Sequence, residues 1–374
     1  MIYFDNAATG GFKPRAVTDG AETVIRYLLA NPGRSGHRLA ITGAKALLEC
    51  RTTVGEFFNA SPEKVIFTKN CTEALNTAIF GSLRKGGHVI TTVYEHNSVL
   101  RPLTYLKNNG DITLDIVSPE PNKSLFQAIK EKINPKTYLV VTNAVSNVTG
   151  EQTPFFEIGK LCKENGLLFL VDGAQAGGHI PIDIKECNIS YLALAGHKGL
   201  SGIMGSGVLI IDEFSDLNPF IMGGTGSESF NLSQPLCYPE RLESGTINLP
   251  AVVALNEGVK FVRKNLTNFS SHLYSATEYL IQNLNKLSDI KCYSSPNPIG
   301  IVSFAVSALP SGDVADILNS EYDVAVRGGL HCAPLMHRYL GTEKDGLVRV
   351  SLAVQNSTRE LNYFLSAMKK IIGD

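Results

Sequence analysis

Between about residue 60 and residue 210 the chain alternates short β-rich runs with stretches of helical spacing, and this alternation restricts its fold more than any other feature. Val65-Ile-Phe-Thr68 precedes a helical pattern over Thr72 to Leu83, and His88-Val-Ile-Thr91 follows. Tyr138-Leu-Val-Val-Thr142 leads into Phe155 to Asn165, and Leu167 to Val171 runs into a glycine-rich turn. Tyr191 to Ala195 and Gly207-Val-Leu-Ile-Ile211 complete the series. Near-continuous apolar runs between helices indicate an α/β fold whose sheet is mostly parallel and covered on both faces. Such a sheet binds its ligand beyond the carboxyl ends of its strands. After Pro250 the pattern changes: helices are expected over Ala251 to Lys264 and Ser271 to Leu287, then strands over Ile301 to Val306 and Leu347 to Val354. We expect a large domain over residues 16–255 and a smaller α+β domain from residues 1–15 and 256–374, since 374 residues suffice for two cores.

Charge narrows the partners. The 34 Lys and Arg nearly balance the 35 Asp and Glu, so no broad field draws the chain to nucleic acid or to an anionic membrane. No apolar run approaches the ~18 residues of a membrane span, and the start MIYFDNAATG lacks the basic and apolar regions of a leader. A cytoplasmic protein is the expectation. The seven cysteines, at positions 50, 71, 162, 187, 237, 292 and 332, include no Cys-x-x-Cys pair, which suits a reducing compartment and argues against a zinc site.

Several segments carry chemistry. In Leu192-Ala-Leu-Ala-Gly-His-Lys-Gly an apolar run stops at Gly196 and delivers His197 and Lys198 to a crowded turn. Desolvation there disfavours the ammonium, and a lysine with a lowered pKa is what Schiff-base chemistry needs, although a loop lysine in water is the bland reading. Leu167-Leu-Phe-Leu-Val-Asp172-Gly-Ala-Gln175 puts a carboxylate at the end of a buried strand. A cationic ring nitrogen would satisfy Asp172, and a helix N-cap is the alternative. Asp172 and Lys198 lie 26 residues apart, enough for one crossover back to the same sheet edge.

Thr68-Lys-Asn-Cys71-Thr72-Glu73 is a strand end, a polar turn and a helix start, where free N–H groups suit a phosphate or serve only as capping. Neither G-x-G-x-x-G nor a Walker A sequence occurs, which argues against nicotinamide and nucleotide sites. In Val324-Ala-Val-Arg327-Gly-Gly-Leu-His331-Cys332-Ala-Pro334 two glycines free the backbone just before a thiol flanked by Arg327 and His331, near a probable helix start. Those charges favour a reactive thiolate at Cys332, whereas the other six cysteines read as inert core residues. Arg349, within a strand-like run, must find a partner, either a substrate carboxylate or a structural carboxylate.

In this order the segments resemble the class V aminotransferase family of fold type I pyridoxal phosphate enzymes, and within it the group II cysteine desulfurases and selenocysteine lyases. The resemblance runs from Tyr3-Phe-Asp-Asn-Ala-Ala-Thr9 to Arg349-Val-Ser-Leu-Ala353. It implies that Lys198 carries pyridoxal 5'-phosphate as a Schiff base, that Asp172 holds the pyridinium nitrogen, and that Gln175 hydrogen-bonds the phenolate oxygen. His96, in Tyr94-Glu-His-Asn, matches the histidine that stacks on the ring and supplies protons. Cys71, Thr72 and His197 fall at the phosphate. Thr246, in Glu243-Ser-Gly-Thr-Ile-Asn, matches a threonine given to the neighbouring subunit's phosphate, which implies a homodimer. Asn147 and Arg349 match substrate contacts, Arg327 accompanies them, and Cys332 matches the nucleophile on the short group II loop of the smaller domain.

Ala195 stands where the family commonly has a serine before Gly-His-Lys. Arg34-Ser-Gly-His-Arg38 corresponds only loosely to the family's N-terminal stretch, and Gly329-Leu330 replaces the usual residues before His-Cys. The implied reaction takes sulfur from L-cysteine, leaving L-alanine and a persulfide on Cys332 for an acceptor protein. The alternatives are lysis of L-selenocysteine, another class V aminotransferase or lyase activity, and a cofactor-free docking protein that would lack a yellow chromophore.

Overall fold

The computed structural model describes residues 1–28, 30–307 and 309–373. Its strands are β1 (Ile2–Tyr3), β2 (Val65–Thr68), β3 (Gly87–Thr92), β4 (Ile112–Val117), β5 (Thr137–Asn143), β6 (Leu168–Asp172), β7 (Tyr191–Ala195), β8 (Gly207–Ile211), β9 (Ile290–Cys292), β10 (Ile301–Val306), β11 (Val324–Ala325) and β12 (Val348–Ser351). Seven form the central sheet in the order β2-β8-β7-β6-β5-β3-β4. β8 is antiparallel to both neighbours, and the remaining strands are parallel. Every residue of β5, β7 and β8 is buried, which is why these strands read as unbroken apolar runs.

Three elements of this half have weak sequence signals. β4 is an edge strand paired only with β3, and its mixed burial follows from that position. The helix Asn97–Asn108 carries Pro102 in its interior, which masks its pattern. The eight-residue helix Leu125–Lys132 is marked chiefly by the reciprocal cap between Ser124 and Gln127. Because the parallel strands share a direction, the loops after β2, β3, β5, β6 and β7 leave one edge of the sheet. They carry Asn70 to Thr72, Glu95 and His96, Asn143 to Asn147, Asp172 to Gln175, and His197 and Lys198.

A second, antiparallel sheet has the order β12-β10-β9. The start of the chain joins it: β1 pairs in parallel with β11, and Asp5 bridges to Ser351. Helices Ser311–Tyr322 and Thr358–Ile372 complete this unit around Phe4, Phe304 and Phe364, all fully buried, each contributing ~1.5–3 kcal/mol by leaving water.

Where two helices were expected after Pro250, a single helix runs over Leu249–Leu284. The intervening Asn265-Leu-Thr-Asn-Phe-Ser270 continues the helix despite its polar side chains, two of which bond back to the helix itself. Asn265 Nδ2 donates to the Phe261 carbonyl at 2.8 Å, and Ser270 Oγ donates to the Leu266 carbonyl at 2.9 Å. Phe261 and Phe269 also pack with ring centres 5.4 Å apart. At 1.5 Å per residue the helix is about 54 Å long. The domain limit expected near residue 255 falls inside it.

Candidate active site

A cavity opens at the shared edge of the parallel strands. Its walls include Cys71, Thr72, His96, Asn147, Asp172, Gln175, His197 and Lys198, so eight residues singled out in the sequence meet in one place. Cys71 and Thr72 begin the helix Cys71–Gly81, whose N-cap Asn70 accepts the Glu73 N–H through its side chain. The N–H groups of Cys71 and Thr72 have no partner among the described hydrogen bonds, leaving two donors at a positive helix end. The Thr72 hydroxyl is 2.8 Å from that of Ser98, another lining residue. Ser98 escaped sequence reasoning, and its signal was its place two residues after His96, on the first turn of the next helix. It brings a hydroxyl to a wall where Ala195 has none.

Asp172 is 6% exposed. Its Oδ1 accepts the Ala174 N–H at 2.9 Å and the Cys71 thiol at 3.6 Å. No described Lys, Arg or His lies within ion-pair distance of it. Burial pushes the Cys71 thiol well up, and the Asp172 charge adds to this, so Cys71 stays protonated. Burial pushes the Lys198 ammonium down against the opposing pull of Asp172, favouring a neutral amine. His96 caps the helix Asn97–Asn108: its Nδ1 accepts the Ser98 N–H at 3.0 Å, and burial lowers its pKa. His197 is pushed down to about 4 by burial and by the Lys198 and Lys13 charges, so it is a neutral ring.

Lys13 had no local signal, yet it supports the same turn. Its Nζ donates to the His197 carbonyl at 2.8 Å, and the Gly10 N–H donates to the same oxygen at 3.0 Å. Together they fix the peptide that leads into Lys198. Burial brings the Lys13 ammonium down to about 8. Gln175 Nε2 donates to the Ala7 carbonyl at 3.1 Å, a second tie from the start of the chain to the cavity. Asn143, at the end of β5, is a third residue sequence reasoning missed, and its Oδ1 is buried without a partner.

Cys332, Arg327 and Arg349 lie outside these walls but are joined to them. Asn147 Nδ2 donates to the His331 carbonyl at 2.7 Å, and the Asn97 N–H donates to the Cys332 carbonyl at 2.8 Å. The loop of the exposed Cys332 is therefore fastened to Asn147 of the cavity wall and to Asn97, which lies between the lining residues His96 and Ser98. Arg327 Nη2 approaches its sulfur at 3.8 Å. The expected help from His331 is absent. Burial, with the Arg349 charge next in weight, pushes that imidazole down to about 2, so it is neutral and Arg327 is the cation beside the thiol. The helix that follows, Pro334–Leu340, has only seven residues.

Arg349 is 1% exposed, and its fork is already engaged: Nη2 donates to Asp5 Oδ1 at 3.0 Å and Nη1 to the Asn147 carbonyl at 3.0 Å, while Nε has no partner. Thr246 is exposed and lies away from this cavity, its hydroxyl accepting from Asn31 Nδ2 at 3.3 Å. Among the other cysteines, 50, 71, 162 and 187 are buried and Cys292 is intermediate, but Cys237 is exposed rather than a core residue. It sits in the irregular stretch between β8 and the long helix, where nothing covers it.

A buried carboxylate with no cationic partner among the described residues, a helix start with free donors, and a lysine whose ammonium is disfavoured by burial fit a phosphorylated aldehyde with a cationic ring. A sequence model of the family described as aminotransferase class-V matches residues 2–364. The chain belongs to the class V aminotransferase family. A probable cysteine desulfurase from Pyrococcus abyssi is 35% identical over 387 residues, covering 100% of this chain and 94% of the relative. A cysteine desulfurase from Shigella sonnei is 28% identical, covering 99% of this chain and 93% of its own. The solved apo structure of a cysteine desulfurase from Thermococcus onnurineus NA1 superposes with a TM-score of 0.92 at 32% identity, covering 100% of this chain and 94% of that one.

Proposed function

We propose that this chain is a pyridoxal phosphate-dependent cysteine desulfurase, acting in the cytoplasm, which moves the sulfur of L-cysteine to Cys332 and releases L-alanine. The observation that carries the reading is the double fastening of the Cys332 loop to Asn147 and Asn97, which ties an exposed thiol to the cavity that contains Lys198 and Asp172. When bound, pyridoxal phosphate supplies an aldehyde for the substrate amine and a ring able to hold an electron pair.

Each residue then has a task. Asp172 would keep the ring nitrogen cationic, and Gln175 and His96 would hold the ring. Thr72, Ser98, His197 and the N–H groups at Cys71 and Thr72 would hold the phosphate. Lys198, as a neutral amine, takes the Cα proton. Arg349, through its free Nε, and Arg327 receive the substrate carboxylate, with Asn147 beside them. The Cys332 thiolate attacks the substrate sulfur: the Cβ–S bond breaks, an S–S bond forms, and protonation at Cβ completes alanine. Thr246, exposed and outside its own cavity, would serve a second copy's phosphate in a homodimer, and the persulfide would pass to an acceptor protein. The helix Leu249–Leu284 would join the two domains, with the thiol supplied by the smaller one.

The test is incubation of the cofactor-loaded protein with L-cysteine and no reductant, followed by mass spectrometry of each cysteine peptide. One added sulfur on the Cys332 peptide, with equivalent alanine, is expected. Full alanine production by Cys332→Ala would refute the assignment of the nucleophile.

A further inference from the structure

His331 and Cys332 are consecutive non-glycine residues in the left-handed region, at φ 50° and 59°. Each such residue costs of order 1–2 kcal/mol, so the surroundings must impose the turn. The hydrogen bonds to the His331 and Cys332 carbonyls hold the backbone from the cavity side. From the other side a buried side-chain chain holds it. His331 Nε2 lies 3.2 Å from the Arg327 carbonyl, His331 Nδ1 lies 3.4 Å from His337 Nε2, and His337 Nδ1 lies 2.9 Å from Thr342 Oγ1. The two rings are stacked with centres 5.5 Å apart, and His331 and His337 are 2% and 0% exposed.

Chemistry fixes the direction of this chain. A carbonyl only accepts, so the proton of neutral His331 sits on Nε2 and its Nδ1 is an acceptor. His337 must then donate from Nε2, which leaves its Nδ1 to accept the Thr342 hydroxyl. All three protons point one way, from Thr342 through both rings to the main chain of Arg327, whose guanidinium touches the Cys332 sulfur. Thr342 is in turn anchored, its N–H donating to the His337 carbonyl at 2.8 Å.

Resting on the desulfurase reading above, we propose that His337 is a positioning residue for sulfur transfer, acting through His331 to hold the left-handed turn that presents Cys332. His337 touches neither the cavity walls nor the thiol, so its loss leaves cysteine binding intact and slows the attack of Cys332.

The test uses the cofactor-loaded protein with L-cysteine. His337→Leu removes the donor to His331 and leaves Nδ1 of that ring unsatisfied. The expected result is a fall in kcat of about tenfold, from a thiol no longer held in its attacking position, with KM and the cofactor's absorbance change on adding cysteine preserved. His337→Gln puts an amide N–H close to the lost one, and the Thr342 hydroxyl can turn to the residue 337 carbonyl, 3.5 Å away. Recovery to within about threefold of the wild-type kcat is expected. Thr342→Val shows the same signature more weakly and covers the case in which His337→Leu does not fold. Unchanged kcat in these variants would overturn the proposal, as would equal losses in the Leu and Gln variants or a parallel loss of cysteine binding. A wild-type protein that makes no alanine from cysteine would instead refute the desulfurase reading.

Discussion

Replacing Glu95 by Gln removes a proton-binding group from the interior while keeping its shape. Glu95 is fully buried. Its Oε1 accepts the Thr92 hydroxyl at 2.6 Å and the Asn143 N–H at 3.1 Å, while Oε2 has no partner. Burial pushes the carboxyl up from 4.5 to about 8, and the nearby Asp172 charge adds to the shift. The folded protein thus holds a proton that the unfolded chain has released above pH 4.5. Stability from this group is fully present below that value and is lost as pH rises towards about 8. Each pH unit in the window removes ~1.4 kcal/mol, up to ~5 kcal/mol across it. Glutamine keeps the acceptor and never titrates. In urea unfolding of the cofactor-free protein, the stability of Glu95→Gln relative to wild type should therefore rise by ~3 kcal/mol between about pH 6 and about pH 8. Stability curves for the two proteins that run parallel across this range would refute a protonated Glu95.

Two further substitutions probe the scaffold. Arg51 and Glu243 form a buried ion pair, with Arg51 Nη1 2.8 Å from Glu243 Oε1, and the same carboxylate oxygen accepts the Phe67 N–H at 2.6 Å. Arg51→Leu should cost ~3–5 kcal/mol in urea unfolding by stranding the carboxylate, and adding Glu243→Leu should recover part of the loss. Gly159, in the helix Phe155–Glu164, lies so close to the next segment that a Cβ would sit 1.8 Å from the Cys187 carbonyl oxygen. Gly159→Ala should lower the unfolding free energy by ~1–3 kcal/mol or more, against the usual benefit of alanine in a helix.

The residues whose chemistry conflicts with their local sequence were the legible ones. Lys198 and Asp172 interrupt apolar runs, and a charge in such a place calls for a partner. Strands buried on both faces were equally plain, whereas the edge strand β4 was hidden because half of it faces solvent. Lys13, Ser98, Asn143 and His337 were invisible for another reason: each sits in an ordinary polar or helical context, and its role depends on a residue brought near by folding. The same holds for Arg349. Its sequence context demanded a partner, and both the partner Asp5 and the Asn147 carbonyl lie far away along the chain. The sign of His331 was misread because adjacency to a thiol says nothing about burial, which is what removes its charge.

The tie between the start of the chain and the second sheet has a consequence for the order of assembly. Asp5 and Arg349 are 344 residues apart. At ~5–20 residues per second, Asp5 leaves the ribosome roughly 20 to 70 s before the arginine it pairs with is made. In that interval β1 has neither β11 to lie beside nor Ser351 to bridge. The segment that steadies Gln175 and the His197 carbonyl has no fixed seat until then. The central sheet and the cavity walls, which lie between residues 70 and 198, can form during synthesis, whereas the ties of Gln175 and the His197 carbonyl to the start of the chain become fixed only when the last strand arrives.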